Sequence, residues 1–188
     1  MKIIVLLSGG EDSIVLAEMA HRRNSLAGLL FFDYKQPAKN QEFNAAGNWS
    51  KSKGYTLTVK QIPIVGVSEH MKIGTGLIGP RILPGRNLVF ISHAINMARG
   101  IGANVVWYGA NSNDHDYVDC SPEFVKIVDA IGRFHGVRVE APLLKMSKKE
   151  IHKYAENKSI DLTLSWSCYE PTEDGSPCGT CNSCRLKA

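Results

Sequence analysis

The fold of this chain is decided near its start, by the stretch Lys2-Ile3-Ile4-Val5-Leu6-Leu7-Ser8-Gly9-Gly10-Glu11-Asp12-Ser13. The apolar, β-branched run over residues 2–7 predicts a buried strand, and the residues from Asp12 onward predict a helix. The loop between them contains Gly9 and Gly10, whose backbone can approach a ligand closely. The following helix start adds free N–H groups and the positive end of the helix dipole. The stretch therefore predicts a phosphate cradle, while a plain Gly-Gly turn of any α/β protein is the alternative interpretation of the loop alone.

The remaining chain continues this alternation of strand and helix. Four further strands are predicted, over residues 26–32, 55–62, 104–108 and 137–140, with helical patterns between them. Five strands joined by helical crossovers predict an α/β fold with a doubly wound parallel sheet, in which the loops that follow the strands meet at one edge. We expect one domain over residues 1–160 and a cysteine-rich segment over residues 161–188 packed on it. The Gly-rich segment 63–83 has no clear period and is predicted to be a long loop or lid.

Three helices carry signals for their start or their buried face. The helix that opens with Pro84-Gly85-Arg86-Asn87 should bury Leu88, Ile91, Ile95 and Ala98. Ser121-Pro122 is a good N-cap and first-turn pair, and the helix that it opens should turn Phe124, Ile127, Val128 and Ile131 inward. Ser147 and Glu150 have the spacing of a capping box, which predicts a short helix to about Asn157.

Length and composition describe an ordinary globular protein of 188 residues, with 44% apolar and 21% charged residues. The net charge of +4 suits an anionic nucleotide but is too small for a nucleic-acid-binding surface, so no direct nucleic-acid partner is expected. The chain has neither an apolar run long enough to span a membrane nor a signal-peptide pattern. These features predict a cytoplasmic protein.

Four of the five cysteines lie close together, at Cys168, Cys178, Cys181 and Cys184. Tight C-x2-C turns let neighbouring thiolates reach one tetrahedral metal, and four thiolates leave no open position, so the spacing favours structural zinc. An iron–sulfur cluster is the main alternative, followed by a redox pair or disulfides. Cys120 lies outside this spacing and is predicted to be a partly buried free thiol.

Seven short motifs, taken together, resemble the 7-cyano-7-deazaguanine synthase (QueC) family of PP-loop ATP pyrophosphatases. The match runs in family order from the first strand to the last cysteine. The motifs are Ser8-Gly9-Gly10-x-Asp12-Ser13, Asp33-Tyr34-x-Gln36, Pro84-Gly85-Arg86-Asn87, Asp119-Cys120-x-Pro122-Glu123-Phe124, Lys148-x-Glu150-Ile151, Ser167-Cys168-Tyr169 and Cys178-Gly179-x-Cys181-x-x-Cys184.

The resemblance implies a HUP-type, PP-loop ATP-binding domain and an ATP-dependent carbon–nitrogen ligase. Its reaction would convert 7-carboxy-7-deazaguanine and ammonia to the nitrile through an adenylated acid and an amide, as in queuosine biosynthesis. The resemblance also implies Mg²⁺, structural zinc on the four clustered cysteines, a small-molecule substrate and a homodimer.

The resemblance assigns roles that fit the chemistry of the residues. Pyrophosphate would be held by backbone N–H groups and hydroxyls of the loop (Ser8, Gly9, Gly10, Ser13) and by the cations of Arg86 and Lys148. Ser13, Arg86 and Lys148 are the candidate catalytic residues. Asp12 would either help to hold Mg²⁺ or cap the helix. The candidate contacts to the deazaguanine base are Tyr34, Asn111, Tyr117 and Asp119, although each also fits an ordinary polar loop residue. His115 is expected to face solvent.

The chain departs from the family pattern in two places. It has Lys35 where the family has Gly, and Pro37-Ala38 where the family has Arg-His. The loop at residues 116–121 is about one residue shorter than in the family. The alternatives are therefore a diverged ligase that stops at the amide or uses another amine, a PP-loop enzyme that modifies tRNA, and a non-enzymatic zinc-knuckle module.

Overall fold

The computed structural model describes residues 1–63, 83–115 and 117–185. Within these ranges, five parallel strands form one sheet in the order β3-β2-β1-β4-β5, which confirms the predicted fold class. The predicted loop or lid at 63–83 lies, apart from its two end residues, outside the described residues. The elements are β1 (Ile3–Leu6), α1 (Glu11–Arg22), β2 (Leu26–Asp33), α2 (Lys39–Ser52), β3 (Leu57–Gln61), α3 (Arg86–Ile101), β4 (Val105–Trp107), α4 (Pro122–Phe134), β5 (Arg138–Glu140), α5 (Lys148–Asn157) and α6 (Asn182–Arg185), with 3₁₀ turns at Ser112–Asp114 and Val118–Cys120.

Helices cover both faces of the sheet. Alternate residues of β1 point to opposite faces, so that Ile3 and Val5 join one apolar cluster and Ile4 joins the other. Helices α1, α2 and α5 bury their apolar residues in the first cluster, and α3 and α4 bury theirs in the second. The inner strands β1, β2 and β4 are mostly apolar because both of their faces are covered, whereas the edge strands β3 and β5 carry polar residues.

The order of the strands places a crevice at one edge of the sheet. The chain leaves β1 towards β2 and β3 on one side, and later adds β4 and β5 on the other. The loops after β1 and β4 therefore diverge at the carboxyl ends of these two strands, which is where ligands bind in open parallel sheets. The phosphate-cradle stretch follows β1, and the loop with the two 3₁₀ turns follows β4.

The two predicted helix starts are confirmed by their caps. The Ser121 hydroxyl accepts a hydrogen bond from the Phe124 N–H at 3.1 Å, and Pro122 occupies the first turn of α4. In α5 the Ser147 hydroxyl accepts from the Glu150 N–H, while the Glu150 carboxylate accepts from the Ser147 N–H at 2.8 Å, which completes the capping box. Such signals are local, so they are readable from the sequence.

Three residues predicted to face inward are exposed instead. In α4, Ile127 and Ile131 lie on the solvent side, and Gly132 is packed against Val137 and against Val139 of β5. A Cβ on Gly132 would lie 2.5 Å from the Val137 carbonyl oxygen, so the close approach of the chain here turns the adjacent Ile131 outward. Leu88 of α3 is likewise exposed because Phe90 and Ile91 make the contacts to the sheet.

Candidate active site

The loop after β1 gathers two hydroxyls at the start of α1. Gly9 has φ +85°, and Gly10 is the N-cap of α1. The Ser13 hydroxyl donates to the Gly10 carbonyl at 2.8 Å, and its oxygen lies 3.3 Å from that of Ser8. The Ser8 hydroxyl in turn accepts from the Gly10 N–H at 3.4 Å. Hydroxyl donors and a helix N-terminus at one point form an arrangement that can bind phosphate.

The same loop is held between α2 and the C-terminal segment. A Cβ on Gly9 would lie 2.3 Å from the Glu42 carbonyl oxygen and 3.0 Å from the Ala45 Cβ, so α2 packs directly on this glycine. On the other side, the Trp166 N–H donates to the Gly9 carbonyl at 2.9 Å. The position of the loop therefore depends on segments that are distant in sequence.

Lys148, at the start of α5, forms an ion pair with Asp12 of α1. Its ammonium nitrogen lies 2.7 and 2.8 Å from the two carboxylate oxygens of Asp12. The Asn111 side-chain amide donates to Asp12 at 2.8 Å and also to Asp114. Burial raises the pKa of Asp114, while the nearby Lys148 lowers it. Two carboxylates and one ammonium thus lie beside the phosphate-binding loop.

Arg86 lies in the first turn of α3, above the ring of Tyr34. Its guanidinium donates to the Tyr34 hydroxyl at 3.1 Å, and the guanidinium carbon lies 5.7 Å from the ring centroid. Burial raises the pKa of Tyr34, which keeps the phenol neutral. This contact holds a cation at the carboxyl end of β2.

A buried network behind Tyr34 includes an acid. The Gln36 amide donates to the Glu42 carboxylate at 2.9 Å and to the Phe32 carbonyl at 3.1 Å, and its oxygen accepts from the Tyr34 N–H. Burial raises the pKa of Glu42 to about 7, against the opposing effects of the Gln36 hydrogen bond and the nearby Arg86. The network fixes the segment that follows β2.

The loop after β4 is tied to the start of α3. The Asp119 carboxylate accepts from the Asn87 backbone N–H at 3.1 Å, and the Asn87 amide lies 3.7 Å from the Cys120 sulfur. Cys120 is half-buried and not disulfide-bonded, as predicted. Burial raises its pKa to about 12, so it remains a thiol at neutral pH. The Tyr108 hydroxyl is buried near these groups and has no hydrogen-bond partner among the residues that the structure describes.

Most of the predicted site residues lie at one edge of the sheet, but the side chains of some of them are hydrogen-bonded to other residues of the protein. Asn111 is fully buried, and its amide nitrogen is shared by two carboxylates while its oxygen accepts from the Asn113 N–H. Tyr117 is exposed, and one oxygen of Asp119 is occupied by Asn87. The expectation for His115 was wrong, since it is half-buried with Nε2 2.9 Å from the Leu144 carbonyl.

Sequence reasoning missed several residues of this region. Glu42 and Trp166 contact the phosphate-binding loop through their backbones, and no residue type signals a backbone contact in advance. Asp114 and Tyr108 follow β4, and their position after a buried strand was the one signal that pointed to them.

The four clustered cysteines are arranged as a metal site. Their sulfur atoms all lie within 4.8 Å of one another, with Cys178 and Cys184 4.0 Å apart. Sulfurs bound to one tetrahedral zinc at about 2.3 Å are separated by about 3.8 Å, whereas a disulfide needs about 2.0 Å. Backbone N–H groups of Cys178, Cys181 and Cys184 point at the sulfurs of other cysteines in the group. The donor set therefore fits a single ion bound by four thiolates.

Comparison with known proteins gives consistent results along the whole chain. The sequence model of the family described as queuosine biosynthesis protein QueC matches residues 2–188. A protein named 7-cyano-7-deazaguanine synthase from Rhizorhabdus wittichii is 32% identical over all of this chain and 89% of its own length. Its namesake from Ectopseudomonas mendocina is also 32% identical, over all of this chain and 92% of its own.

Solved structures show a similar fold at low sequence identity. The U34-tRNA thiolase NcsA from Methanococcus maripaludis, solved with its [4Fe-4S] cluster, superposes with a TM-score of 0.59 at 15% identity, covering 100% of this chain and 63% of that chain. A predicted subunit of tRNA methyltransferase from Methanocaldococcus jannaschii gives a TM-score of 0.57 at 16% identity, covering 83% and 74%. Of the described helices, none is long and apolar enough to cross a membrane.

Proposed function

The chain belongs to the QueC family, and from that premise we propose that it converts 7-carboxy-7-deazaguanine and ammonia to 7-cyano-7-deazaguanine with ATP. A carboxylate oxygen of the substrate attacks the α-phosphorus of ATP, and pyrophosphate leaves. Ammonia then displaces AMP to give the amide. The amide oxygen attacks the α-phosphorus of a second ATP and releases a second pyrophosphate, and loss of AMP and protons from the adenylated amide leaves the nitrile. According to this proposal, the enzyme is a carbon–nitrogen ligase.

The observation that carries this proposal is the convergence of phosphate-binding groups on the crevice between β1 and β4. The hydroxyls of Ser8 and Ser13 lie 3.3 Å apart at the N-terminus of α1, and the Asp12–Lys148 ion pair begins one residue away. The pyrophosphate leaving group carries negative charge that preorganised donors stabilise without reorganisation. Gly9 and Gly10 have no side chains of their own, so the backbone of the loop can approach a ligand closely.

Lys148 is proposed to bind phosphate oxygens, with Asp12 as its positioning residue. Both carboxylate oxygens of Asp12 already accept hydrogen bonds, so a metal there would replace the Lys148 contact. Mg²⁺ keeps several waters and commonly binds through one or two carboxylates together with substrate phosphates. Asp12 and Asp114, joined by the Asn111 amide, are the carboxylates that would hold Mg²⁺ when it enters with ATP.

Arg86 is the second proposed phosphate ligand. Its guanidinium is held by the Tyr34 hydroxyl and ring, which leaves other N–H groups of the fork able to bind an anion in a bidentate manner. Tyr34 therefore acts through Arg86 as well as being a candidate contact for the deazaguanine base. One carboxylate oxygen of Asp119 makes no contact with Asn87 and can accept a hydrogen bond from the deazaguanine base. The exposed ring of Tyr117 can stack on the same base.

The cysteine cluster is proposed to hold structural zinc. Four thiolates around one ion leave no open position for substrate, and the sulfur separations suit mononuclear coordination better than a disulfide. Residues 161–188 then form a metal-stabilised segment on the ATP-binding domain of residues 1–160. The protein is further proposed to act as a homodimer, without a direct nucleic-acid partner.

The direct test incubates the purified protein with 7-carboxy-7-deazaguanine, ammonium and Mg-ATP, and follows AMP by chromatography and the product by mass. The expected result is two AMP per molecule of nitrile. Absence of AMP with this acid would overturn the proposal. One AMP per molecule of amide, with no nitrile, would support the alternative of a ligase that stops at the amide.

The variant Ser13→Ala tests whether the phosphate-binding loop takes part in AMP formation. Loss of one donor to a developing charge typically lowers the rate by about 100-fold or more, and we expect AMP formation to fall by that factor. Ser50→Ala is the matched control, because both hydroxyls are buried and donate to the carbonyl three residues earlier in a helix. Equal losses in the two variants would contradict the assignment.

Lys148→Met removes the proposed ammonium and keeps a side chain of similar length. We expect AMP formation to fall by about 100-fold, as for other charge-stabilising groups. Lys149→Met is the control, since Lys149 is the exposed neighbour in the same helix turn. Full activity in Lys148→Met would remove this residue from the site.

A further inference from the structure

One aromatic side chain of the cysteine segment, Tyr169, reaches the candidate active site. Tyr169 is 46% exposed, and groups of the site lie near its hydroxyl. Burial is the main cause that raises the pKa of Tyr169, the neighbouring Asp114 and Tyr117 raise it further, and Arg86 lowers it. The hydroxyl therefore lies among groups from the loop after β4 and from the start of α3.

The backbone around Tyr169 is held on both sides. The Trp166 N–H donates to the Gly9 carbonyl at 2.9 Å, and the Trp166 indole donates to the Cys168 carbonyl at 2.7 Å. A backbone hydrogen bond also joins Tyr169 to Cys181. The tyrosine is thus carried by backbone that is tied to the loop after β1 and to the cysteine cluster. A ligand-binding side chain on such a backbone loses little conformational entropy when the ligand arrives.

Two partly exposed tyrosines from different segments therefore lie at the same site. Tyr117, from the loop after β4, is 40% exposed, which is close to the exposure of Tyr169. A tyrosine ring has a flat apolar face that can stack on another ring, and its hydroxyl can bind a polar group at the same time. Two accessible rings beside phosphate-binding groups suit a ligand that combines a planar ring with an anionic group.

We propose that Tyr169 stacks on the deazaguanine ring of the acid substrate, on the face opposite the one that Tyr117 covers. This inference rests on the proposed function, from which it takes its ligand. Asp119, proposed to accept a hydrogen bond from the edge of the same ring, belongs to the loop that carries Tyr117. The ring then lies between that loop and the cysteine segment, which forms one wall of the substrate site.

The test measures binding of the acid by isothermal titration calorimetry. The acid 7-carboxy-7-deazaguanine is titrated into protein saturated with Mg²⁺ and the α,β-methylene analogue of ATP, which cannot release pyrophosphate. We expect Tyr169→Ala to weaken binding of the acid by about 10–100-fold, as for other side chains that stack on a base. Tyr169→Phe keeps the ring and should bind the acid nearly as tightly as the wild type.

Leu164→Ala is the matched control, because Leu164 is 58% exposed in the same segment, and it should bind the acid as the wild type does. Elemental analysis and circular dichroism show whether each variant keeps its metal and its fold. If Tyr169→Ala loses either, Tyr169→Leu, which keeps a larger apolar side chain without a ring, is measured against the same expectation.

Three results would overturn the proposal. The first is equal affinity of the wild type and Tyr169→Ala for the acid. The second is a loss in Tyr169→Phe as large as in Tyr169→Ala, which would assign the contact to the hydroxyl. The third is weaker binding of the ATP analogue alone with unchanged binding of the acid, which would place adenine on the ring.

The same titration separates this inference from the proposed reaction. A wild type that binds the acid but forms no AMP from it would refute the reaction and leave the stacking contact standing. A wild type that binds no acid would refute both. Turnover of the acid with unchanged binding in Tyr169→Ala would refute the stacking contact alone.

Discussion

Gly9→Ala should show how strongly the phosphate-binding loop depends on one missing side chain. Gly9 has φ +85°, a conformation that costs an L-residue with a Cβ about 1–2 kcal/mol. The new Cβ would also lie 2.3 Å from the Glu42 carbonyl oxygen, which belongs to the backbone of α2 and has no flexible end to move. Overpacking of this kind costs about 1–3 kcal/mol.

The expected loss is the sum of these two effects, reduced by the lower entropy of an unfolded chain with alanine. This entropy effect stabilises the variant by about 0.4–1 kcal/mol, so we expect Gly9→Ala to lower the free energy of unfolding by about 3 kcal/mol in total. For a chain of this size, each kcal/mol corresponds to roughly 2–4 °C in Tm, which gives a decrease of about 6–12 °C.

Gly10→Ala is the matched control for this measurement. Gly10 has φ −73°, and its added Cβ would meet the Ser8 hydroxyl at 3.5 Å and the Trp166 carbonyl at 3.7 Å, which are ordinary contacts. At an N-cap the change from glycine to alanine should cost no more than about 1 kcal/mol. Urea unfolding of both variants, followed by circular dichroism, makes the comparison. Equal losses of stability at the two positions would refute the account of close packing at Gly9.

Three other changes test separate features of the site. Glu42→Gln removes a carboxyl whose pKa is raised from 4.5 to about 7 by burial, so the stability of the wild type relative to this variant should fall as pH rises through that interval, measured by urea unfolding at several pH values. A pH-independent difference would contradict this. Tyr108→Phe removes a buried hydroxyl without a partner among the described residues, and should raise the free energy of unfolding by about 1 kcal/mol; a loss of stability would indicate that the hydroxyl is satisfied. Cys168→Ser should purify without bound metal by elemental analysis and unfold at lower temperature, whereas Cys120→Ser, outside the cluster, should retain the metal; equal metal content in the two would contradict the four-thiolate site.

The features that the sequence predicted correctly depend on neighbours within a few residues. The alternation of strands and helices, the Ser121 N-cap and the Ser147–Glu150 capping box all follow from local periodicity and local hydrogen bonds. The cysteine cluster could also be predicted, because only two residues separate each neighbouring pair among Cys178, Cys181 and Cys184.

The errors concern choices that are made between distant segments. Helix α4 has apolar residues on two adjacent faces, and the close packing of Gly132 on Val137 decides which face is buried. The hydrogen bond between the Asn111 amide and Asp12 joins residues 99 apart in sequence and was not predicted, while a contact of Asn111 with substrate stays a prediction. Such contacts depend on the assembled sheet, so the pattern of residue types around either partner does not reveal them.

The hydrogen bond from the Trp166 N–H to the Gly9 carbonyl joins the loop after β1 to the segment that leads into the cysteine cluster. Cys168 follows only two residues later, so the backbone that leads into the cysteine cluster also contacts the proposed ATP-binding loop. Equilibrium linkage is reciprocal: if metal binding steadies this loop for the nucleotide, then bound nucleotide must hold the metal more tightly by the same factor. At equilibrium, half of the metal should therefore be lost at a higher chelator concentration when ATP is present.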